Sequence, residues 1–205
     1  MLPSSPAPSL FLASASSRRA DLLRQMGVPF AQRPTDTDES IHADESATAY
    51  VQRIALAKAA AGIKALTEPN AVVLAADTAV VVGGQVLGKP TGRADFLRMM
   101  DLLSGQRHQV MTAVALASPA VGSRHQLVTT AVQFRALGAG EAARYWDTGE
   151  PMGKAGGYAI QGLGGVLVAS IEGSHSAVVG LPLCETAQLL QDFGIACWQQ
   201  ALPAR

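Results

Sequence analysis

Leu74–Pro90, LAADTAVVVGGQVLGKP, decides how this chain is read. An apolar run ends in Asp77-Thr78, a second apolar run follows, and Gly83-Gly84 interrupts it before Gln85–Leu87. The β-branched residues predict a buried strand over Val72–Val82. The paired glycines predict a two-residue turn, and Gln85–Leu87 is expected to pair back on that strand. A carboxylate inside strand-like apolar sequence is costly unless it has a partner or a task. Lys89, past the turn, adds positive charge. The two residue types together suit binding a phosphate chain and activating a water against it. A buried Asp satisfied by local backbone and a Lys on a loop would account for the same residues.

Outward from this hairpin, helical and strand patterns intermix. Leu10–Ala13 reads as a first strand, Ser14–Ser17 as a loop with an N-cap, and Arg18–Met26 as a helix closed by Gly27. A strand, a small-residue loop and a helix start present backbone N–H groups to an anion. Val28–Arg33 is expected to form a second strand and Ala47–Leu66 a long Ala-rich helix. Thr91–Leu103 reads as a helix capped by Thr91, and Gln109–Ser118 and Gln126–Leu137 as antiparallel strands. Gly138–Thr148 reads as a helix, Pro151–Gly165 as irregular, Val166–Glu172 as a strand and Pro182–Phe193 as a last helix. The pattern lacks strict βαβ repetition. It points to an α/β or α+β fold with a mixed, twisted sheet, flanking helices and two lobes around a cleft. Met1–Ser9, rich in Pro and Ser, is expected to be a loose tail, and residues 10–205 a single domain.

Composition narrows the function. The chain has 205 residues, 48% hydrophobic and 16% charged, enough for a sizeable core. Lys+Arg and Asp+Glu are 16 each, and zero net charge argues against nucleic acid polymers as partners. Cys184 and Cys197 sit in no CxxC or Cys/His cluster, so they are expected as reduced thiols and a zinc site is disfavoured. The first residues lack a basic region ahead of a short apolar run, and no apolar run is long enough to span a bilayer. A soluble cytoplasmic protein with no membrane partner is expected.

Four groups could carry chemistry. Ser14, Ser16, Arg18 and Arg19 lie on the loop and helix start after the first strand. Two Arg in a first helical turn oppose the helix macrodipole, which a bound anion would offset. Asp36, Asp38 and Glu39 fall in an acidic run that could hold Mg²⁺ or Mn²⁺ beside a triphosphate, or simply form a solvated loop. Asp77, Thr78 and Lys89 form the third group. A dehalogenase-type phosphatase would want a second acid two residues after its Asp, where this chain has Ala79. The fourth is Lys154–Gly165, KAGGYAIQGLGG, whose glycines allow close backbone approach to a ligand, with Gln161 placed to read a base edge or a phosphate. It matches neither a GxxxxGK[ST] loop nor a dinucleotide fingerprint. His108, His125 and His175 are scattered, there is no GxSxG elbow, and no helix is dense in Glu as a Nudix hydrolase requires.

Together these segments resemble the Maf family of nucleoside triphosphate pyrophosphatases. LFLASASSRRADLLRQMGVPF, DTDES, VLAADTAVVVGGQVLGKP, LLSGQRHQVMTAVAL, KAGGYAIQGLGG and SAVVGLPLCETAQLL occur in family order from Leu10 to about Phe193. The resemblance implies a deep-cleft fold like that of inosine triphosphatases, a divalent metal, a homodimer, and hydrolysis of a nucleoside triphosphate to its monophosphate and pyrophosphate. The family's Ser and paired Arg fall on Ser14, Arg18 and Arg19, with Ser17 where the family has Pro. Its proton-accepting Asp falls on Asp77, its acidic-loop Glu on Glu39, its helical Lys on Lys58 and its GKP Lys on Lys89. Its substrate-reading positions fall on Arg18, Thr78 and Gln161. Glu39 and Asp77 are the implied metal holders.

The KAGxYxIQGxGG pattern is similar to the branch acting on dTTP and UTP. The 7-methyl-GTP branch tends to carry Glu at the Gln161 position. A neutral amide both donates and accepts, as a uracil or thymine edge requires. The biological role implied is removal of unwanted or modified nucleotides. A nucleotide-binding regulator of cell division with little turnover is a second reading, opposed by the presence of Glu39, Asp77, Lys89 and Gln161. An inosine or xanthosine triphosphate hydrolase is a third.

Overall fold

The computed structural model describes residues 8–199. Strands and helices follow in the order β1 (Ser9–Leu12), α1 (Ser17–Gln25), β2 (Ala31–Gln32), α2 (Ala47–Lys64), β3 (Ala71–Val82), β4 (Gln85–Leu87), α3 (Arg93–Leu103), β5 (Arg107–Ser118), β6 (Gly122–Phe134), α4 (Glu141–Asp147), β7 (Val168–Glu172), α5 (His175–Val179) and α6 (Leu183–Asp192). Short 3₁₀ turns at Ala155–Gly157 and Leu163–Leu167 lie between α4 and β7. The strands pair in the order β2-β1-β3-β5-β6-β7, with β4 against β3. β1 runs parallel to β2 and β3, whereas β3–β4 and β6–β7 are antiparallel, so the sheet is mixed as expected.

The hairpin forms where the paired glycines predict it. Val82 faces Gln85, and Gly83 and Gly84 take φ of +56° and +81°, the left-handed conformations that a two-residue turn of this hand requires. Ser16 caps α1 through its hydroxyl, which accepts from the Arg19 N–H, and Ser46 caps α2 in the same way on Ala49.

Several boundaries differ from the sequence reading. β1 opens at Ser9, inside the expected tail; the rest of that tail up to residue 7 lies outside the described residues. The second strand, expected over Val28–Arg33, keeps only Ala31–Gln32, because Pro29 and Pro34 flank it without N–H donors. α3 starts at Arg93, not behind a Thr91 cap. Thr91 instead donates its N–H and hydroxyl to Asp95 Oδ2, at 3.1 and 3.3 Å, and Gly92 occupies the cap position. α4 begins at Glu141 rather than Gly138, since the Glu141 carboxylate accepts from the Gly138 N–H.

The described chain forms two compact units of discontinuous segments. The first takes the chain up to Asp77, Ala113–Leu127 and the chain from Gly180 on. Its fully buried side chains include Leu12, Leu23, Ile54, Leu74, Leu116 and Leu190. The second takes Thr78–Thr112 and Val128–Val179. Its core gathers Val80, Phe96, Met100, Phe134, Tyr145 and Tyr158. His108 sits in that core, 2% exposed and 2.8 Å from the Tyr158 hydroxyl. Among the described residues no helix is long and apolar enough to cross a membrane. Cys184 and Cys197 are free thiols.

Candidate active site

The first unit assembles an acid–base cluster from a strand, a helix and a loop. β3 carries Asp77, which is only 7% exposed. α2 carries Lys58, 8% exposed, with its Nζ 2.9 Å from Asp77 Oδ1 and 2.6 Å from Glu39 Oε1. One ammonium therefore joins two carboxylates that are far apart in sequence. Burial makes Asp77 costly as a charge, and the ion pair offsets that cost.

Glu39 lies in the acidic loop, and side chains of α2 hold that loop in place. Arg53 makes a two-pronged pair with Glu45, at 2.6 and 2.7 Å, and donates to the Ser40 carbonyl at 2.9 Å. Tyr50 donates its hydroxyl to the Glu39 carbonyl at 3.0 Å. Within the loop, Asp38 Oδ1 accepts from the Ser40 N–H at 2.9 Å. Two of the three expected acids, all of them exposed, thus have distinct tasks: Asp38 shapes the turn and Glu39 reaches the cluster. Burial raises the Tyr50 pKa to about 12, and the negative charges of Asp77 and Glu39 add to the rise.

The loop after β1 supplies the second cationic group. Arg19 Nε donates to the Gly180 carbonyl at 2.8 Å, and a terminal nitrogen donates to Ser14 Oγ at 3.2 Å. Ser14 Oγ also accepts from the Ser16 N–H at 3.2 Å, which closes the loop. Removal from water lowers the Arg19 pKa, Asp77 and Glu39 counter that, and the neighbouring Arg18 charge adds to the lowering. Arg19 and Arg18 thus occupy the first turn of α1, with Arg19 coupled electrostatically to both carboxylates of the cluster.

The second unit carries Thr78, Lys89 and Gln161. Thr112 donates its hydroxyl proton to the Ala177 carbonyl at 2.7 Å, so the 3.0 Å bond between Thr78 and Thr112 takes its proton from Thr78. Toward any further group Thr78 then acts as an acceptor. The Gly156 N–H donates to the Gly88 carbonyl at 3.0 Å, which ties the Gly-rich segment to the Gly88-Lys89-Pro90 segment. Lys89 and Gln161 are both exposed. Gln161 sits in a tight turn in which the Gly162 N–H donates to the Ala159 carbonyl at 3.1 Å.

The structure thus brings together Ser14 with Arg19, and Glu39 with Lys58 and Asp77. Sequence reasoning missed the residues that support them: Tyr50, Arg53 and Glu45 around the acidic loop, and Thr112 behind Thr78. Their one signal in sequence is helical spacing, since Tyr50, Arg53 and Lys58 all belong to α2.

Glu39 and Asp77 point at one cationic nitrogen, so the position between them already favours positive charge. Carboxylate oxygens are the donors that Mg²⁺ and Mn²⁺ prefer, and the residues fit such an ion. Among the described residues no group of three or more His, Cys, Asp or Glu gathers, so further ligands would come from phosphate oxygens and water.

Comparison with known proteins gives the chain's relatives. The model of the Maf-like protein family matches residues 9–193. A protein of Vibrio parahaemolyticus named dTTP/UTP pyrophosphatase is 52% identical over 186 residues, covering 90% of this chain and 97% of its own. One of the same name from Pseudoalteromonas atlantica is 51% identical, covering 91% and 98%. Among solved structures, the chain is similar to the Staphylococcus aureus Ham1 protein at 14% identity and a TM-score of 0.46, covering 78% of this chain and 79% of that one.

Proposed function

The chain belongs to the Maf family, and from that premise we propose that it hydrolyses dTTP and UTP to the monophosphate and pyrophosphate. The observation that carries the proposal is the convergence of Glu39 and Asp77 on the Lys58 ammonium, with Lys58 and Asp77 buried and Glu39 open to solvent, an arrangement able to handle both a proton and a cation. Water attacks the α-phosphorus, the bond to the oxygen bridging the α- and β-phosphorus breaks, and pyrophosphate leaves with that oxygen. Asp77 accepts the proton lost by the water. Lys58 holds Asp77 Oδ1, which leaves the second carboxylate oxygen for the water. Arg18, Arg19, Lys58 and Lys89 hold the triphosphate charge, with Ser14 orienting Arg19.

A divalent cation, Mg²⁺ or Mn²⁺, would be held by Glu39 and Asp77. When bound it offsets negative charge developing on the phosphoryl oxygens. Thr78 as an acceptor and Gln161 as both donor and acceptor suit the alternating edge of uracil or thymine. The family relationship also supports a homodimer acting in the cytoplasm on free nucleotides, with neither a nucleic acid polymer nor a membrane as partner.

The test is incubation of the purified protein with Mg²⁺ or Mn²⁺ and dTTP, UTP, CTP, 7-methyl-GTP or ITP, with products resolved. TMP or UMP plus pyrophosphate is the expected result. Turnover of 7-methyl-GTP or ITP alone would overturn the pyrimidine assignment. Diphosphate plus phosphate would overturn the bond assignment.

A further inference from the structure

Glu150 and Tyr145 belong to none of the groups assigned so far, yet they bracket Gln161. The Tyr145 hydroxyl donates to Glu150 Oε2 at 2.6 Å and accepts from the Ala159 N–H at 3.1 Å. Glu150 Oε1 accepts from the Leu163 N–H at 2.9 Å, and Oε2 accepts from the Gly164 N–H at 2.8 Å. The turn Ala159–Gly162 is therefore pinned at its entry by Tyr145 and at its exit by Glu150. Lys154, at the start of the same segment, donates its Nζ to the Glu150 carbonyl.

The contacts leave little freedom. A Cβ added at Gly162 would collide with Glu150 Oε1, and one at Gly164 would collide with the Tyr145 hydroxyl. Glycine at these positions lets the carboxylate approach the backbone directly. Bonds from N–H groups to a carboxylate are stronger than neutral ones, so two of them plus the Tyr145 hydroxyl fix the turn firmly. Burial pushes the Glu150 carboxyl up, but the Tyr145 hydroxyl, the two backbone donors and Lys154 outweigh it, and the group stays ionised at neutral pH. Tyr145 is itself held edge-on to Phe96, with ring centroids 6.0 Å apart.

We propose that Glu150 and Tyr145 are positioning residues that aim the Gln161 amide and thereby set base selectivity. The inference rests on the pyrimidine reading of Gln161. An amide that swings freely can satisfy either UTP or CTP, because it can present its donor or its acceptor to each base. On a pinned turn the Gln161 side chain starts from one place and one direction, so fewer of its conformers meet the base edge, and a mismatched base leaves a polar group unpaired.

The test compares full-length wild type with Tyr145→Phe, Glu150→Gln, Gln161→Ala and the double variant Tyr145→Phe/Gln161→Ala. KM and kcat are measured on UTP, dTTP and CTP. Tyr145→Phe and Glu150→Gln are expected to raise KM for UTP and dTTP about tenfold, with kcat within about twofold of wild type. The preference for UTP over CTP shrinks in the same direction as in Gln161→Ala. The double variant loses no more selectivity than Gln161→Ala alone, because the two act through one group. Tyr145→Phe removes one oxygen and keeps the ring on Phe96, so it serves if Glu150→Gln fails to fold. Folded variants with unchanged UTP/CTP preference, or with kcat lowered equally on all three substrates, would overturn the inference alone. Absence of UTP and dTTP turnover by the wild type would overturn the inference together with the reading beneath it.

Discussion

Lys58 Nζ and Asp77 Oδ1 meet at 2.9 Å, and each residue is less than a tenth exposed. The pair fixes the strand position of the proposed base to the middle of α2. Substituting Lys58 by Met leaves Asp77 charged and buried with its partner gone. Lys58→Met should lower stability by about 3 kcal/mol, the scale for breaking a buried pair on one side. The double variant Lys58→Met/Asp77→Asn should recover most of that loss, because the buried carboxylate is gone and the remaining one, Glu39, is open to solvent. Urea denaturation of the three proteins checks both statements, and additive losses in the double variant would contradict them.

If Asp77 takes the proton from the attacking water, Asp77→Asn should reduce kcat by ~10²-fold or more, the scale of positioned acid–base groups. Pyrophosphate release under saturating substrate measures it. Near-normal turnover in a folded Asp77→Asn protein would remove Asp77 from that role.

His108 gives the fold a dependence on pH. Burial lowers its pKa from 6.5 to about 4, only partly offset by the backbone of Gln106. The unfolded chain takes up this proton first as pH falls, so stability is highest above pH 6.5 and declines until about pH 4, where the folded imidazole protonates too. At about 1.4 kcal/mol per unit, the decline is ~3 kcal/mol. His108→Gln, which keeps a hydrogen-bonding group toward Tyr158, should flatten this part of the curve. Denaturation midpoints between pH 7 and 4 would show an unchanged slope if His108 were not responsible.

Gly157 combines a φ of +70° with close packing: a Cβ there would lie 2.7 Å from Phe96 Cδ2. Gly157→Ala should cost about 2–4 kcal/mol, from a left-handed alanine and an overpacked core together. Gly149, with φ +75° and nothing within 4 Å of its added Cβ, isolates the backbone part. Gly149→Ala should cost about 1 kcal/mol. Thermal melts of the two variants separate contact from conformation.

The hairpin over β3 and β4 was legible because its signals are local: β-branched residues, then two adjacent glycines. A cap within Ser14–Ser17 was legible for the same reason, and the structure puts it on Ser16. α5, at five residues, is too short to show a helical period, and the sequence reading passed over it. The candidate site residues came one by one from the family resemblance, which says nothing of their partners. That Glu39 and Asp77 share Lys58 depends on where a polar loop is tethered, and Arg53 and Tyr50 do that through long-range side-chain bonds. Nothing in the local pattern of DTDES distinguishes Glu39 from Asp36, although both are exposed and it is Glu39 that reaches the cluster. Likewise Glu150 reads as an ordinary polar residue before Pro151 until its carboxylate is seen to hold two backbone N–H groups.

β2 stands at one end of the strand order, and only two exposed residues, Ala31 and Gln32, form it. A foreign strand seeking to extend the sheet there finds a template too short to hold it, closed on either side by Pro29 and Pro34. The Gln32 side chain also turns inward, donating to the Ser14 carbonyl at 2.7 Å. A chain that is 48% hydrophobic, with a long apolar strand in β3, is thereby guarded at this edge against building aggregates of itself.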